Sequence, residues 1–277
     1  MKIARRPQDP RLRPFVRTIW ATEPAGKDKR EPQRELVLPT GDSHLVFRLA
    51  DRPLRIFRDA GDPSGSLAGV SLVGGARTSP YLRDVSEPVP TVGAQLMPGA
   101  SHFLLGVPAV ELAEAHNSLD DLWGSAARDA RERLAAAPSL KRRLDLFESI
   151  LASRLPAECA PHPIVFRALP VVARQGRLRE VVEASGYSHR HFVALFRQEV
   201  GVSPKVYHRL QRFQRALLRI AAAPATSLSS LALDAGYSDQ SHFNRDFRAF
   251  AGLAPGDYRL LSPAQPNHLP LPPRPQR

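Results

Sequence analysis

The chain has 277 residues, 43% of them hydrophobic, a formal net charge of +12 and a single cysteine. That length suits more than one domain. The lone Cys159 excludes an internal disulfide and a thiolate zinc site, and no apolar run reaches the roughly 18 residues needed to span a bilayer. The N-terminus, MKIARRPQDPRLRPFV, places charges and prolines where a signal peptide would need an apolar stretch, so a cytoplasmic location is expected. The basic excess favours a polyanionic partner, a nucleic acid or an anionic surface.

Taken in chain order, residues 1–100 carry short β-like runs punctuated by proline and glycine. ELVLPTGDSHLVFRL reads as two strands around a Pro-Thr-Gly-Asp turn, and GVSLVGGA and TVGAQLMPGA as further strands. Residues 101–156 lose that punctuation. RDARERLAAAPSLKRRLDLFESILASRL is helical, with Leu144, Phe147 and Leu151 at steps of three and four, and is expected to form a connector packed on the β-rich part. PAECAPHP then breaks the pattern, giving a linker at 157–163. Residues 164–262 hold a repeat. The last stretch, 263–277 (SPAQPNHLPLPPRPQR from Ser262), is proline-rich and is expected to be a disordered tail. The fold class expected is α+β: a β-rich N-terminal domain with a helical connector, then an all-α C-terminal domain.

The repeat aligns SGYSHRHFVALFRQEVGVSPKVYHR, from Ser185, with AGYSDQSHFNRDFRAFAGLAPGDYR, from Ala235. From His191-Phe192 and His242-Phe243 onward the offset stays at 51 residues: Phe196 with Phe247, Gly201 with Gly252, Pro204 with Pro255, Tyr207 with Tyr258. Leu178, Val181, Val182 and Ser185, and likewise Leu228, Leu231, Ala232 and Ala235, mark one face of a short helix. Thr226 or Ser227 caps the second of these, and Gly186 and Gly236 allow the stop. A second helix follows in each copy, its phenylalanines inward. Helix, glycine-containing turn, helix is the grammar of a helix-turn-helix. The outward stripes correspond: Arg190, Val193, Ala194 and Arg197 in the first copy, Ser241, Asn244, Arg245 and Arg248 in the second. Such helices read base edges from the major groove, Arg pairing with guanine, Asn with adenine and small apolar groups with the thymine methyl. Between the units, Val206, Leu210, Phe213, Leu217 and Ile220 form one apolar stripe. A continuous helix of about 17 residues there spans roughly 25 Å, a rod able to hold two reading helices about one DNA turn, roughly 34 Å, apart.

These residues resemble the DNA-binding domain of the AraC/XylS transcription regulators. The signature lies in GYSDQSHFNRDFRAFAGLAPGDYR, and Arg212 and Ala216 fit the linker's Arg-x-x-x-Ala pattern. The resemblance implies seven helices over 164–262, two helix-turn-helix units joined by a long helix, and adjacent major grooves of double-stranded DNA. It implies DNA-contacting residues at Ser188, Arg190, Val193, Ala194, Arg197, Arg212, Gln240, Ser241, His242, Asn244, Arg245 and Arg248. Val193 and Ala194 depart from the commoner polar choices. For His242, base contact and packing both stay open. The N-terminal part, through PRLRPFVRTIW, LVLPTGDSHLVF and VGAQLMPGASHFLLGVPAVEL, resembles a β-rich sensor-like domain of some such regulators, without an assignable ligand.

The function expected is therefore a sequence-specific, non-enzymatic transcription regulator controlled by an effector or partner at its N-terminal domain. RNA polymerase, a small-molecule effector and a second copy of the chain are the further partner candidates; no cofactor and no metal are expected. His44, His102 and His116 lie scattered without carboxylates at metal-like spacing, and His189 and His191 face apart on a helix. No Walker loop, G-x-S-x-G or H-E-x-x-H is present. Trp20, Phe47, Phe57, Tyr81 and Trp123 either line a pocket or fill the core, and Asp120-Asp121 caps a helix or faces solvent. The competing readings are a DNA-acting enzyme, which would need Cys159 as its thiol, and a constitutive architectural DNA binder.

Overall fold

A computed structural model describes residues 1–24, 33–174 and 178–271. Strands β1 (Lys2–Arg5), β2 (Val16–Thr22), β3 (Arg34–Val37), β4 (Ser43–Arg48), β5 (Leu54–Phe57), β6 (Ser66–Gly69), β7 (Ser71–Gly74), β8 (Tyr81–Asp84) and β9 (Thr91–Leu96) come first. Helices α1 (Ala100–Leu105) and α2 (Ala109–Leu112) precede β10 (His116–Ser118), and α3 (Leu119–Trp123), α4 (Ser125–Ala136) and α5 (Leu140–Arg154) follow it. Two antiparallel sheets result. One has the order β1-β2-β9-β4-β7-β10; in the other the chain's last strand, β11 (His268–Leu271), leads the order β11-β3-β8-β5-β6. The two strands read around the Pro-Thr-Gly-Asp turn are β3 and β4, and they belong to different sheets.

Period-2 alternation decides what each face of the first sheet meets. In β4, Leu45 and Phe47 are buried while His44, Val46 and Arg48 are half-buried. Leu45, Val73, Ala94 and Ile19 share the apolar face and pack with Leu104, Trp123, Leu144, Phe147 and Leu151 of the helices. These helices cover the sheet, and a boundary at residue 100 would cut β10 from it: His116 and Asn117 pair with Gly74 and Val73 of β7. Ser118 caps α3 by accepting from the Asp120 N–H, leaving Asp120 and Asp121 in its first turn.

The C-terminal region has seven helices among the described residues: α6 (Pro163–Ala173), α7 (Leu178–Glu183), α8 (His189–Val200), α9 (Pro204–Ala222), α10 (Leu228–Ala235), α11 (Gln240–Ala251) and α12 (Pro255–Leu261). Helix α9 has 19 residues, so it runs about 28 Å. Its stripe of Leu210, Phe213, Leu217 and Ile220 is buried. Phe213 meets Phe247 and Phe250 at ring-centroid distances of 5.2 and 5.3 Å, and Phe247 meets Tyr258 at 5.5 Å. Aromatic pairs at such tilts add about 0.5–1.5 kcal/mol each beyond their area.

The tail reading requires a correction. Residues 268–271 are not disordered: they form β11, antiparallel to β3, with His268 opposite Val37 and Leu271 opposite Arg34. Leu269 is fully buried in the same apolar cluster as Phe213 and Tyr258, together with Leu38 and Ala76 of the N-terminal region. Burying such a side chain contributes about 1.5–3 kcal/mol, which together with the main-chain pairing to β3 offsets the cost of ordering a segment that composition alone reads as unfoldable. Residues 272–277 lie outside the described residues.

Candidate nucleic-acid interface

Each reading helix starts on a capping side chain. Ser188 Oγ accepts from the His191 N–H at 3.2 Å, and Asp239 Oδ1 from the His242 N–H at 2.7 Å. These caps satisfy one of the otherwise unpaired N–H groups of the first turn. At the other end Gly201 and Gly252 take left-handed conformations, φ 87° and 73°, and close both helices. Caps and stops therefore match between the copies, as the sequence repeat requires.

Phe192 and Phe196 in α8, and Phe243, Phe247 and Phe250 in α11, point into the core, so the opposite stripes face outward. Arg190, Ala194 and Arg197 are exposed on α8; Gln240, Ser241, Arg245 and Arg248 are exposed on α11. Val193 and Asn244, equivalent positions, are half-buried. Asn244 Oδ1 is shielded without a hydrogen-bond partner. Among the described residues, Arg190, Arg197, Arg245 and Arg248 have no carboxylate partner, whereas Arg209 and Arg212 do. Four unneutralised guanidinium groups on two matched helix faces form an anion-directed surface.

Arg212 departs from the expected set of DNA-contacting residues. It is buried, at 7% exposure. Its Nη2 donates to Asp246 Oδ2 at 3.0 Å and to His242 Nε2 at 3.2 Å, and its guanidinium lies 4.6 Å from the Tyr237 ring centre. Arg209 donates to Asp246 Oδ1 at 2.8 and 3.1 Å. The matched Arg-x-x-x-Ala pattern of the linker helix thus marks an internal clamp between α9 and α11, since a buried carboxylate requires paired donors. His242 belongs to this clamp. A guanidinium only donates, so Nε2 accepts, and the ring proton lies on Nδ1, 3.2 Å from Ser238 Oγ. Packing, rather than a free base-reading role, describes its ring in this structure.

A second candidate site lies between the sheets, where reading the histidines as scattered gave no signal. Strand register puts Gln95, His44, Gly74 and His116 in one row on one face of the first sheet. Tyr81 of the second sheet meets His116 at 4.6 Å, and Trp20 meets His44 at 6.2 Å. A side chain at Gly93 would collide with Trp20, whose ring occupies that space. These inner faces are half-buried and belong to neither apolar cluster. Phe47 and Trp123, by contrast, are core residues. Burial first, then the charges of His268, Arg83 and Arg17, lowers the His44 pKa to about 4; burial, then Arg77 and Arg83, lowers that of His116 to about 4. Both imidazoles are therefore neutral near pH 7, in a positive field. Glu35 accepts from Arg83 Nε at 2.6 Å and from His268 Nδ1 at 3.0 Å. Burial acts to raise the Glu35 carboxyl, but the His268 hydrogen bond and the Arg83 charge outweigh it and hold it below the ordinary range. A surface cleft of about 710 Å³ opens beside Tyr81, with Phe57, Arg58, Ser64 and Arg77 in its walls. Among the described residues no three His, Cys, Asp or Glu side chains come together as a metal site, and no helix is long and apolar enough to cross a membrane.

Two capped helix-turn-helix units on one rod define the class: a double helix-turn-helix protein. Residues 181–260 match the family described as a helix-turn-helix domain, and residues 5–118 match a domain of unknown function (DUF6597). The C-terminal domain is of the AraC type. A putative AraC-like transcription regulator of Streptomyces lividans is 27% identical over 154 residues, covering 50% of each chain. The transcriptional activator RhrA of Rhizobium meliloti is 34% identical over 88 residues, 31% of this chain and 28% of RhrA. An HTH-type transcriptional regulator of Haemophilus influenzae is 28% identical over 82 residues, 30% of this chain and 27% of that protein. The chain thus spans half or less of these curated relatives. Among solved structures, ToxT from Vibrio cholerae aligns over 83% of this chain and 97% of its own, at 9% identity and a TM-score of 0.43.

Proposed function

We propose that this protein is a sequence-specific DNA-binding transcription regulator whose N-terminal domain takes a small-molecule effector between its sheets. One observation carries the DNA reading: two equivalent helix faces, each bearing exposed and unneutralised arginines, are fixed to a single rigid helix. The rod's length of about 28 Å is comparable with the separation of successive major-groove faces, roughly 34 Å, that two such units would span. Support for the effector reading comes from the half-buried inner faces, where Trp20 and Tyr81 offer apolar surface and neutral His44 and His116 offer hydrogen bonds.

The residues assigned to base reading are Arg190, Val193 and Ala194 in the first unit and Ser241, Asn244 and Arg245 in the second. Arg197 and Arg248, one turn further on, are assigned to phosphate, and Gln240 and Ser188 to the helix entrances. Self-association and contact with RNA polymerase belong to the same reading as later steps. Cys159 packs half-buried against the N-terminal apolar cluster, a setting that does not favour the alternative of thiol chemistry on DNA.

The test is selection of duplex DNA by the full chain, followed by footprinting. A bipartite site with halves about one helical turn apart is the expected result. Failure to enrich any sequence would sink the reading.

A further inference from the structure

The segment after the last helix touches both halves of the molecule. Tyr258 of α12 donates its hydroxyl to Pro266 O at 2.9 Å, so the second helix-turn-helix unit holds the start of the segment. The Leu38 N–H donates to Asn267 O at 2.9 Å, and β11 then pairs along the whole of β3. Within β11, adjacent side chains go opposite ways. Leu269 enters the C-terminal apolar core, while His268 reaches Glu35 and lies 3.3 Å from Arg83 Nη2, on the polar inner face of the sensor sheet. The first unit has its own anchor: Gly201 lies against Ala76 and Ala109, and the Gly99 N–H donates to Glu199 O at 2.9 Å. The middle of α9 is held by Gln214, whose Nε2 donates to Pro39 O at 2.7 Å. Of these attachments, the C-terminal strand alone joins the candidate effector site to the second reading unit through consecutive residues.

We propose that residues 263–271 are a coupling strap, which ties the second helix-turn-helix unit to the sensor sheet and, through His268, makes its seating depend on what occupies the space between the sheets. The coupling to an effector rests on the function proposed above; the tethering does not. The physical basis is a two-state element. When the strap is seated, β3 is an interior strand between β11 and β8. When it leaves, β3 becomes an unpaired edge, Leu269 leaves its core site and Glu35 loses one of its two partners. A ligand that draws Glu35 away from His268 weakens seating at the same residue that borders Leu269. By linkage, any bound species that favours one state of the strap must itself bind more tightly to that state.

The experiment compares the full chain with a truncation after Ser262 and with His268→Ala, reading amide exchange at residues 34–37 and affinity for the duplex recovered by selection. The truncation is expected to speed exchange at 34–37 at least tenfold and to shift duplex affinity at least threefold. Adding duplex to the full chain is expected to change protection of the same amides, because the coupling is reciprocal. His268→Ala keeps Leu269 and the main-chain pairing, so it guards against a truncation that fails to fold. It is expected to speed exchange two- to fivefold, because it removes the donor to Glu35 and leaves the main chain paired. Unchanged exchange at 34–37 in the truncated chain and in His268→Ala would overturn the strap, as would a duplex affinity indifferent to its removal. If no duplex is bound by any variant while exchange responds as expected, the tether stands and the DNA reading falls.

Discussion

The two reading units share a scaffold and differ in what lies behind it. In the second, Asp246 holds Arg209, Arg212 and His242 in a buried polar clamp against the long helix. At the equivalent place in the first unit stands Leu195, half-buried and packed with the apolar core. The outward faces differ in the same sense: Ser241, Asn244 and Arg245 stand where the first unit has Arg190, Val193 and Ala194. Duplication preserves what the helix-turn-helix needs in order to form, namely caps, glycine stops and inward phenylalanines. It leaves free both the surface that meets the partner and the means of attachment to the rod. On the function proposed above, the second unit is the rigidly mounted, polar reader, and the first relies on Arg190 and apolar contacts.

The largest test of that contrast is stability. Asp246→Ala leaves Arg212 buried without its carboxylate and is expected to cost about 3–5 kcal/mol, whereas Leu195→Ala should cost no more than about 2 kcal/mol, since the site is already half open. Chemical denaturation of both variants checks this; equal losses would erase the distinction between the mounts. Next in size is selectivity. Arg245→Ala is expected to lose about 1–3 kcal/mol at the preferred sequence and to relax specificity in one half-site only, and Arg190→Ala to do the same in the other half. Competition binding against single-base variants of the site would show whether the losses separate by half-site.

His242→Ala removes one acceptor from Arg212 but spares Asp246, so a stability loss of about 0.5–1.5 kcal/mol is expected, with base preference unchanged. A change in preference at one position would mean that the ring leaves the clamp to meet DNA. The smallest effect should be the most symmetric. Arg197→Ala and Arg248→Ala should weaken all sequences alike, each lowering the salt slope by about 0.9. A strong asymmetry between them would show that one unit bears on the duplex more heavily than the other.

Much of the C-terminal domain is legible in the chain itself, because its contacts are local and its periods are written out twice. Gly201 and Gly252 mark the stops, Ser227 stands at a cap, and the stripe from Val206 to Ile220 announces the rod. Arg212 shows where that legibility ends. Its motif is visible, but whether a cation on a helix faces phosphate or a carboxylate depends on Asp246, 34 residues away, and on the angle at which α11 crosses α9. The N-terminal domain is harder to read for the same reason: His44, His116 and Tyr81 become one cluster only when strands distant in sequence fall into register.

The sequence by itself determined the repeat, the two capped helix pairs and the helix between them, since each follows from residue spacing within a few turns of chain. Tertiary structure alone decided that Arg212 is internal, that the inner faces of the sheets stay polar and partly open, and that a proline-rich tail becomes a strand. Pairing β11 with β3 joins residues more than 230 apart. Composition predicts whether a segment can hold itself together; it does not reveal that β3 offers an unpaired edge and the neighbouring core a place for Leu269.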